Sequence, residues 1–110
     1  MLNPSVHISI DTSSSDELVV KLRSDSNMIV EEKSPAHQNH GQRLLSAIVK
    51  MLKSKDMTFA DLASLKVNTG PGSYTGIRVG VSVAQALGYS LGIPVNGKRL
   101  PREKIEVKYG

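Results

Sequence analysis

The chain has 110 residues, of which 39% are hydrophobic and 22% charged, a composition typical of one globular domain rather than a disordered segment. The absence of cysteine from these residues excludes disulfides, a thiolate nucleophile and a cysteine-ligated zinc site. The net charge is +4, but the tail after Gly97 carries five basic and two acidic residues and so holds most of it, which favours a solvated end over an RNA-binding surface.

The first third of the chain predicts three consecutive strands. Val6 to Ile10 alternates apolar and polar residues, and Glu17 to Arg23 follows after a turn rich in Ser and Thr. A third strand starts at Met28 to Val30 and fades into charged residues. Because the links between these strands are short, they predict an antiparallel meander.

A helical period follows from Arg43 to Lys53. Its polar residues fall on one narrow stripe, which consists of Arg43, Ser46, Lys50 and Lys53. The apolar face is wider than the roughly 100° that packing on one sheet requires. This helix is therefore expected to contact both the sheet and a second helix or a partner chain.

Four further elements complete the predicted fold. Thr58 is expected to be the N-cap of a short helix with Asp61 as the acid of a capping box. Leu65 to Asn68 is then a fourth strand, Thr75 to Leu91 a second long helix, and Pro94 to Asn96 a short fifth strand. The order βββαβα(β) predicts an α/β fold with a mixed five-stranded sheet, in which the meander precedes two crossover helices.

The uncharged stretch 79–97 resembles a membrane span only superficially. Its glycines, serines and proline favour a buried helix and strand instead. The N-terminus also lacks the pattern of a secretory signal. We therefore expect a cytoplasmic protein with no membrane contact.

The loop NTGPGSYTGIR, from Asn68 to Arg78, joins a strand to a helix N-terminus, where phosphate-binding loops lie. Its glycines are spaced G-x-G-x-x-x-G, which is neither the dinucleotide fingerprint nor a Walker loop. Either the loop binds an anion through its amides, or its glycines allow close packing, and the sequence favours packing. The residues of the anion-binding alternative would be Asp11, Gly70, Gly72, Ser73, Thr75 and Arg78.

The second long helix carries a stripe of small residues, formed by Gly76, Gly80, Ala84 and Gly88. Each helical glycine costs about 1 kcal/mol relative to alanine, so the stripe predicts close approach of another backbone. Beyond Arg78 the helix has no charge, which predicts burial on nearly every side. Arg78 itself lies in the first turn, where the helix dipole disfavours a cation, and it is expected to clamp the loop or, alternatively, to bind an anion.

No cluster of side chains predicts catalysis. Asp11 is expected to cap the turn after the first strand, since Asp and Ser side chains accept from nearby backbone amides. His37 and His40 are three residues apart with no matching acid, so no metal site is predicted. Ser73 and Tyr74 lack a base to activate them. We expect no catalytic residue and no cofactor.

Four segments, in this order and spacing, resemble the TsaB family: IDTS at Ile10–Ser13, HGQRLL at His40–Leu45, GPGSYTGIR at Gly70–Arg78 and GIPV at Gly92–Val95. The resemblance covers about residues 5–97. It implies one ribonuclease-H-like half of the actin, Hsp70 and sugar-kinase type over residues 1–97. A basic tail over residues 98–110 would follow, without the second domain of the family.

The resemblance also implies a non-catalytic scaffold or dimerisation subunit of the complex that attaches threonylcarbamoyl to tRNA. Its partners would be a TsaD-like catalytic subunit and a TsaE-like ATPase, with a homodimer as an alternative and tRNA reached only through the complex. The predicted partner contacts are Leu45, Ile48, Val49, Met51, Leu52, Gly80, Ala84 and Gly88.

The sequence is also compatible with three alternatives. All of these partner-contact residues could instead be internal core. The chain could be a nucleotide- or phosphate-binding remnant of the kinase-like fold that uses Asp11 and the amides of Gly70–Thr75. It could also bind tRNA directly through residues 98–110.

Overall fold

A computed structural model of the chain describes residues 6–14, 16–24, 28–35 and 40–98. The strands of this part are β1 (Val6–Asp11), β2 (Glu17–Ser24), β3 (Met28–Pro35) and β4 (Leu62–Val67). The helices are α1 (His40–Ser54) and α2 (Tyr74–Leu91), with a short 3-10 helix at Phe59–Asp61 before β4. His37 and residues 99–110, on which part of the sequence analysis depends, lie outside the described residues.

The strands form one mixed sheet in the order β3-β2-β1-β4. The predicted antiparallel meander is confirmed, since β1 pairs antiparallel with β2 and β2 pairs antiparallel with β3. Strand β4 pairs parallel with β1, so α1 is the crossover from one edge of the sheet to the other. Strand β3 is longer than predicted because its charged residues Glu31 and Lys33 alternate on the exposed side of an edge strand.

The predicted fifth strand is wrong for the described residues. Its segment makes a single parallel bridge, between Val95 and Leu65. The next residue of β4 that would pair with this segment is Val67, and its main chain bonds the side chain of Asn96 instead of a strand backbone. Asn96 Oδ1 accepts from Val67 N at 2.8 Å, and Asn96 Nδ2 donates to Val67 O at 3.0 Å. Asn96 (φ 52°) and Gly97 (φ 77°) then adopt the left-handed conformation that turns the chain and ends the pairing.

Both helices lie on the same face of the sheet. Alternate residues of β1, Val6, Ile8 and Ile10, are buried and belong to one core together with residues of α1 and α2. The intervening residues of β1 are His7, Ser9 and Asp11, and they point to the opposite face. None of the described helices is both long and apolar enough to cross a membrane.

Candidate functional site

The end of β1 and the start of α2 meet at Thr12. Thr12 is the one buried polar residue that the described segments show, and its Oγ1 donates to the carbonyl oxygen of Gly76 at 2.6 Å. A Cβ on Gly76 would overlap the main-chain oxygen of Thr12, and a Cβ on Gly80 would overlap Thr12 Oγ1. The helix therefore approaches the strand end more closely than any residue with a side chain would allow at these positions.

The loop before α2 is tied to the turn after β1 by Ser13. The amide of Ser73 donates to the main-chain oxygen of Ser13 at 2.7 Å. Gly72 lies directly against Ser13, so a Cβ there would be 2.7 Å from both the Cβ and the main-chain oxygen of that residue. Gly70 also has a positive φ, of 113°. The first part of the loop thus packs on the chain itself.

The carboxylate of Asp11 is held by its own turn. Its Oδ1 accepts from the amide of Ser13 at 2.9 Å and from Ser13 Oγ at 2.6 Å. Partial burial of Asp11 opposes ionisation, but the hydrogen bonds from Ser13, with smaller contributions from Asn68 and the charge of Lys21, outweigh it and lower the pKa of this carboxyl. These are the hydrogen bonds of a turn cap.

Several amides of the loop already donate within the chain. Gly70 N donates to Asn68 Oδ1 at 2.9 Å, and Gly76 N donates to Oγ of Ser73, the N-cap of α2, at 3.3 Å. With the bond from Ser73 N, three donors that an anion would need are thus occupied by protein oxygens. This geometry supports packing as the role of the loop, and anion binding there stays a prediction.

Arg78 lies on the exposed side of α2 and contacts Tyr74, another residue of the loop. Its Nη1 donates to Tyr74 Oη at 3.0 Å, and its guanidinium carbon is 5.5 Å from the centre of the Tyr74 ring. Thr75 is exposed beside it. The six residues of the anion-binding alternative are therefore divided between the strand-end turn and the outer surface of the helix.

The predicted partner contacts are also divided. Six of the eight are buried inside this chain, namely Ile48, Met51, Leu52, Gly80, Ala84 and Gly88. The wide apolar face of α1 is covered by β2, β3 and α2, while Gly88 lies against Val95 in the same way that Gly80 lies against Thr12. Only Leu45, which is 43% exposed, and the half-buried Val49 keep side-chain surface.

The outer surface of α2 was not predicted from the sequence. The prediction that α2 is buried on nearly every side beyond Arg78 is wrong, since Ser82, Ala86 and Tyr89 are exposed. We define the α1/α2 surface as Leu45, Val49, Tyr74, Val79, Ser82, Val83, Ala86 and Tyr89, all exposed or half-buried. Two features of the sequence could have located this surface. The glycine stripe shows which side of α2 packs inward, and the absence of charge beyond Arg78 shows that the opposite side is also not typical of a helix surface in water.

Within the described residues no three His, Asp or Glu side chains come close enough to hold a metal ion together. His40, which the sequence analysis considered as a ligand, is the first residue of α1. His7, on the sheet, has its Nδ1 at 2.7 Å from Ser64 Oγ. The described residues at the junction of β1 and α2 thus take part in packing and hydrogen bonding, and the one carboxylate there, that of Asp11, is held by Ser13.

Comparison with known proteins agrees with this geometry. Residues 29–97 match the family model of TsaD, described as tRNA N6-adenosine threonylcarbamoyltransferase. The chain is 39% identical over 89 residues to the tRNA threonylcarbamoyladenosine biosynthesis protein TsaB of Bacillus subtilis, covering 81% of this chain and 38% of that protein.

Among solved structures, YeaZ from Pseudomonas aeruginosa superposes with a TM-score of 0.74 at 26% identity, over 83% of this chain and 42% of that one. A Bacteroides thetaiotaomicron protein with an actin-like ATPase fold gives a TM-score of 0.56 at 11% identity, over 86% of this chain and 33% of that chain, which bears on the fold alone. The predicted ribonuclease-H-like, actin-type fold class is confirmed. The chain spans about two fifths of the length of the B. subtilis TsaB and P. aeruginosa YeaZ proteins.

Proposed function

Since this chain belongs to the TsaD family and is TsaB-like within it, we propose that it is a non-catalytic subunit that pairs with a TsaD-like protein in the threonylcarbamoylation of tRNA. A TsaE-like ATPase would complete the assembly. The B. subtilis relative is named as a protein of threonylcarbamoyladenosine biosynthesis. The pairing itself is supported by the surface of the two helices.

The α1/α2 surface is the observation that carries this proposal. Leu45, Tyr74 and Tyr89 are the exposed large hydrophobic residues of the described part of the chain, and all three belong to α1 or α2. Arg78 is the only charged residue of α2. An apolar surface of two neighbouring helices with little charge is typical of a protein contact, and a second pair of helices would fit it by ridge-into-groove packing.

A structural role also agrees with the junction of β1 and α2. Asp11 and the amides of Gly70, Ser73 and Gly76 are used in turns and caps, so they would have to break internal hydrogen bonds to hold a nucleotide phosphate. A nucleotide-binding remnant predicts heat on calorimetric titration with ATP and magnesium. The scaffold role predicts none from this chain alone.

The pairing is tested by placing a charge on the α1/α2 surface. Val83→Glu and Leu45→Glu are expected to weaken association with the TsaD-like protein of the same cell at least tenfold, because a carboxylate buried at an apolar contact is strongly disfavoured. Association is measured by co-purification and size exclusion. The same columns, run with this chain alone, report any homodimer.

Val19→Glu is the matched control, since Val19 is also a half-buried valine but lies on the opposite face of the sheet. It should leave pairing unchanged. Circular dichroism of all three variants establishes that they fold. If Val83→Glu and Leu45→Glu both associate like the unmodified chain, this surface is not the contact.

A further inference from the structure

The face of the sheet opposite the helices carries a basic groove. Its volume is about 540 Å³, and none of the described residues that line it bears a carboxylate. Its cations are Lys21, Arg23 and Lys66, all exposed or half-buried. The pairing surface on the helices does not use this face. We call these three residues, with His7 and Ser9, the basic groove.

The strand register arranges these residues in two rows across three strands. Ser9 of β1 pairs with Lys21 on one side and with Lys66 on the other. One step along the same face, His7 pairs with Arg23 and with Ser64. Strand geometry puts the Cα atoms of Lys21 and Lys66, which flank Ser9, about 9–10 Å apart. The row of Ser9 and the row of His7 are about 7 Å apart along the strands.

Three acids of the described strands lie on this face, and the one without a named partner, Glu17, is four residues from Lys21 at the start of β2. Asp11, next after Ser9 on the same face, accepts two hydrogen bonds from Ser13. Glu31 pairs in register with Lys21, but its Oε2 lies 3.6 Å from Nζ of Lys33. Lys21 contributes the least of the named influences on the pKa of Asp11. The described lining of the groove therefore carries a net positive charge.

We infer that the basic groove binds the phosphate backbone of RNA, and this inference rests on the proposed role in tRNA modification. The cations are spread over two rows and lie on the two strands, β2 and β4, that flank β1, so together they can contact more than one phosphate of an RNA strand. No Phe, Tyr or Trp is among the described residues of the groove, so contacts to phosphates rather than stacking on large aromatic rings would dominate binding. Contacts to phosphates alone bind without regard to sequence. The groove would hold the tRNA body while the helices hold the partner.

The test is the salt dependence of binding to a fluorescein-labelled, unmodified tRNA transcript, measured by anisotropy with the full chain. Each lost phosphate contact reduces the slope of log K against log salt by about 0.7–0.9. The variant Lys21→Gln/Arg23→Gln/Lys66→Gln should therefore lower the magnitude of the slope by about 2 and weaken binding more than tenfold at low salt.

The matched control is Lys50→Gln/Lys53→Gln/Lys55→Gln, which removes the same charge from exposed residues in and just after α1. It should keep the slope and stay within about twofold in affinity. Equal weakening by both variants, an unchanged slope in the groove variant, or no measurable binding by the unmodified chain would overturn the inference. So would loss of all salt dependence in a chain that ends at Lys98, because the tail would then be the RNA contact.

The same variants separate this inference from the pairing proposal. The groove variant should still co-purify with the TsaD-like protein, since none of its changes lies on the α1/α2 surface. Failure of the unmodified chain to pair would remove the proposed function, while the salt slope would still decide whether the groove binds RNA.

Discussion

Alanine substitutions in the glycine stripe of α2 distinguish contact with a side chain from contact with a main chain. Gly76 and Gly80 both face Thr12, but a Cβ on Gly76 meets its main-chain oxygen and a Cβ on Gly80 meets its Oγ1. Gly41 in α1 has nothing within 4 Å of the position of a Cβ. It is the matched control, because it is a helical glycine without the close contact.

Helix propensity alone favours alanine over glycine by up to about 1 kcal/mol, so Gly41→Ala should leave the free energy of unfolding unchanged or raise it slightly. At Gly80 that gain is opposed by overpacking, which costs about 1–3 kcal/mol, and we expect a net loss of about 1 kcal/mol. At Gly76 the opposing carbonyl is main chain and cannot rotate away, so the loss should be about 2 kcal/mol or more.

The variant Thr12→Ala makes the test decisive. It removes Oγ1 and Cγ2, the atoms that oppose a Cβ on Gly80, so most of the Gly80→Ala loss should disappear in this background. Gly76→Ala should stay destabilising there, because the main-chain oxygen of Thr12 remains. Urea unfolding followed by circular dichroism gives the free energies, compared at equal m values. A Gly80→Ala loss of the same size in both backgrounds, or a neutral Gly76→Ala, would refute this account of the stripe.

Three further predictions follow from the same contacts. Ser73→Ala removes the N-cap bond to Gly76 and should lower the free energy of unfolding by about 1 kcal/mol, and an unchanged urea midpoint would contradict this. Asp11 has a lowered pKa in the folded chain, so its ionised form adds stability above the ordinary carboxyl pKa and loses it as the pH falls through the folded value. Asp11→Asn should therefore unfold more easily than the unmodified chain at pH 7, with a gap that closes below about pH 4, and a gap that is constant with pH would exclude the carboxylate as its cause. Ala86→Leu adds bulk at an exposed position, so it should change stability by less than about 0.5 kcal/mol yet weaken pairing in size exclusion, whereas normal pairing would remove Ala86 from the contact.

Local signals predicted the elements of this fold well. The capping box of the short helix is confirmed, with Ala60 N donating to Thr58 Oγ1 and Thr58 N donating to Asp61 Oδ2. Such pairs can be recognised because the residues involved are only two or three positions apart. The strands of the meander were also found from their alternation, apart from the extent of β3.

Features that depend on distant residues could not be predicted. Thr12 stands in a turn rich in Ser and Thr and resembles an exposed residue, but it is fully buried because α2 returns to cover it. The prediction of a fifth strand was wrong for a similar reason. The side-chain amide of Asn96 bonds Val67, 29 positions away, and the sequence around it shows no sign of this exchange.

The glycine stripe has a consequence for the opposite side of α2. Gly80 and Gly88 draw the helix against Thr12 and Val95, which leaves the positions about half a turn away facing outward. Those positions hold Ser82, Ala86 and Ser90, again small and spaced by four residues, and all three are exposed. Close approach to the sheet needs only one small face, so packing within this chain does not explain the second. A second helix that approaches α2 from outside would explain it, because small residues let two helix backbones come close.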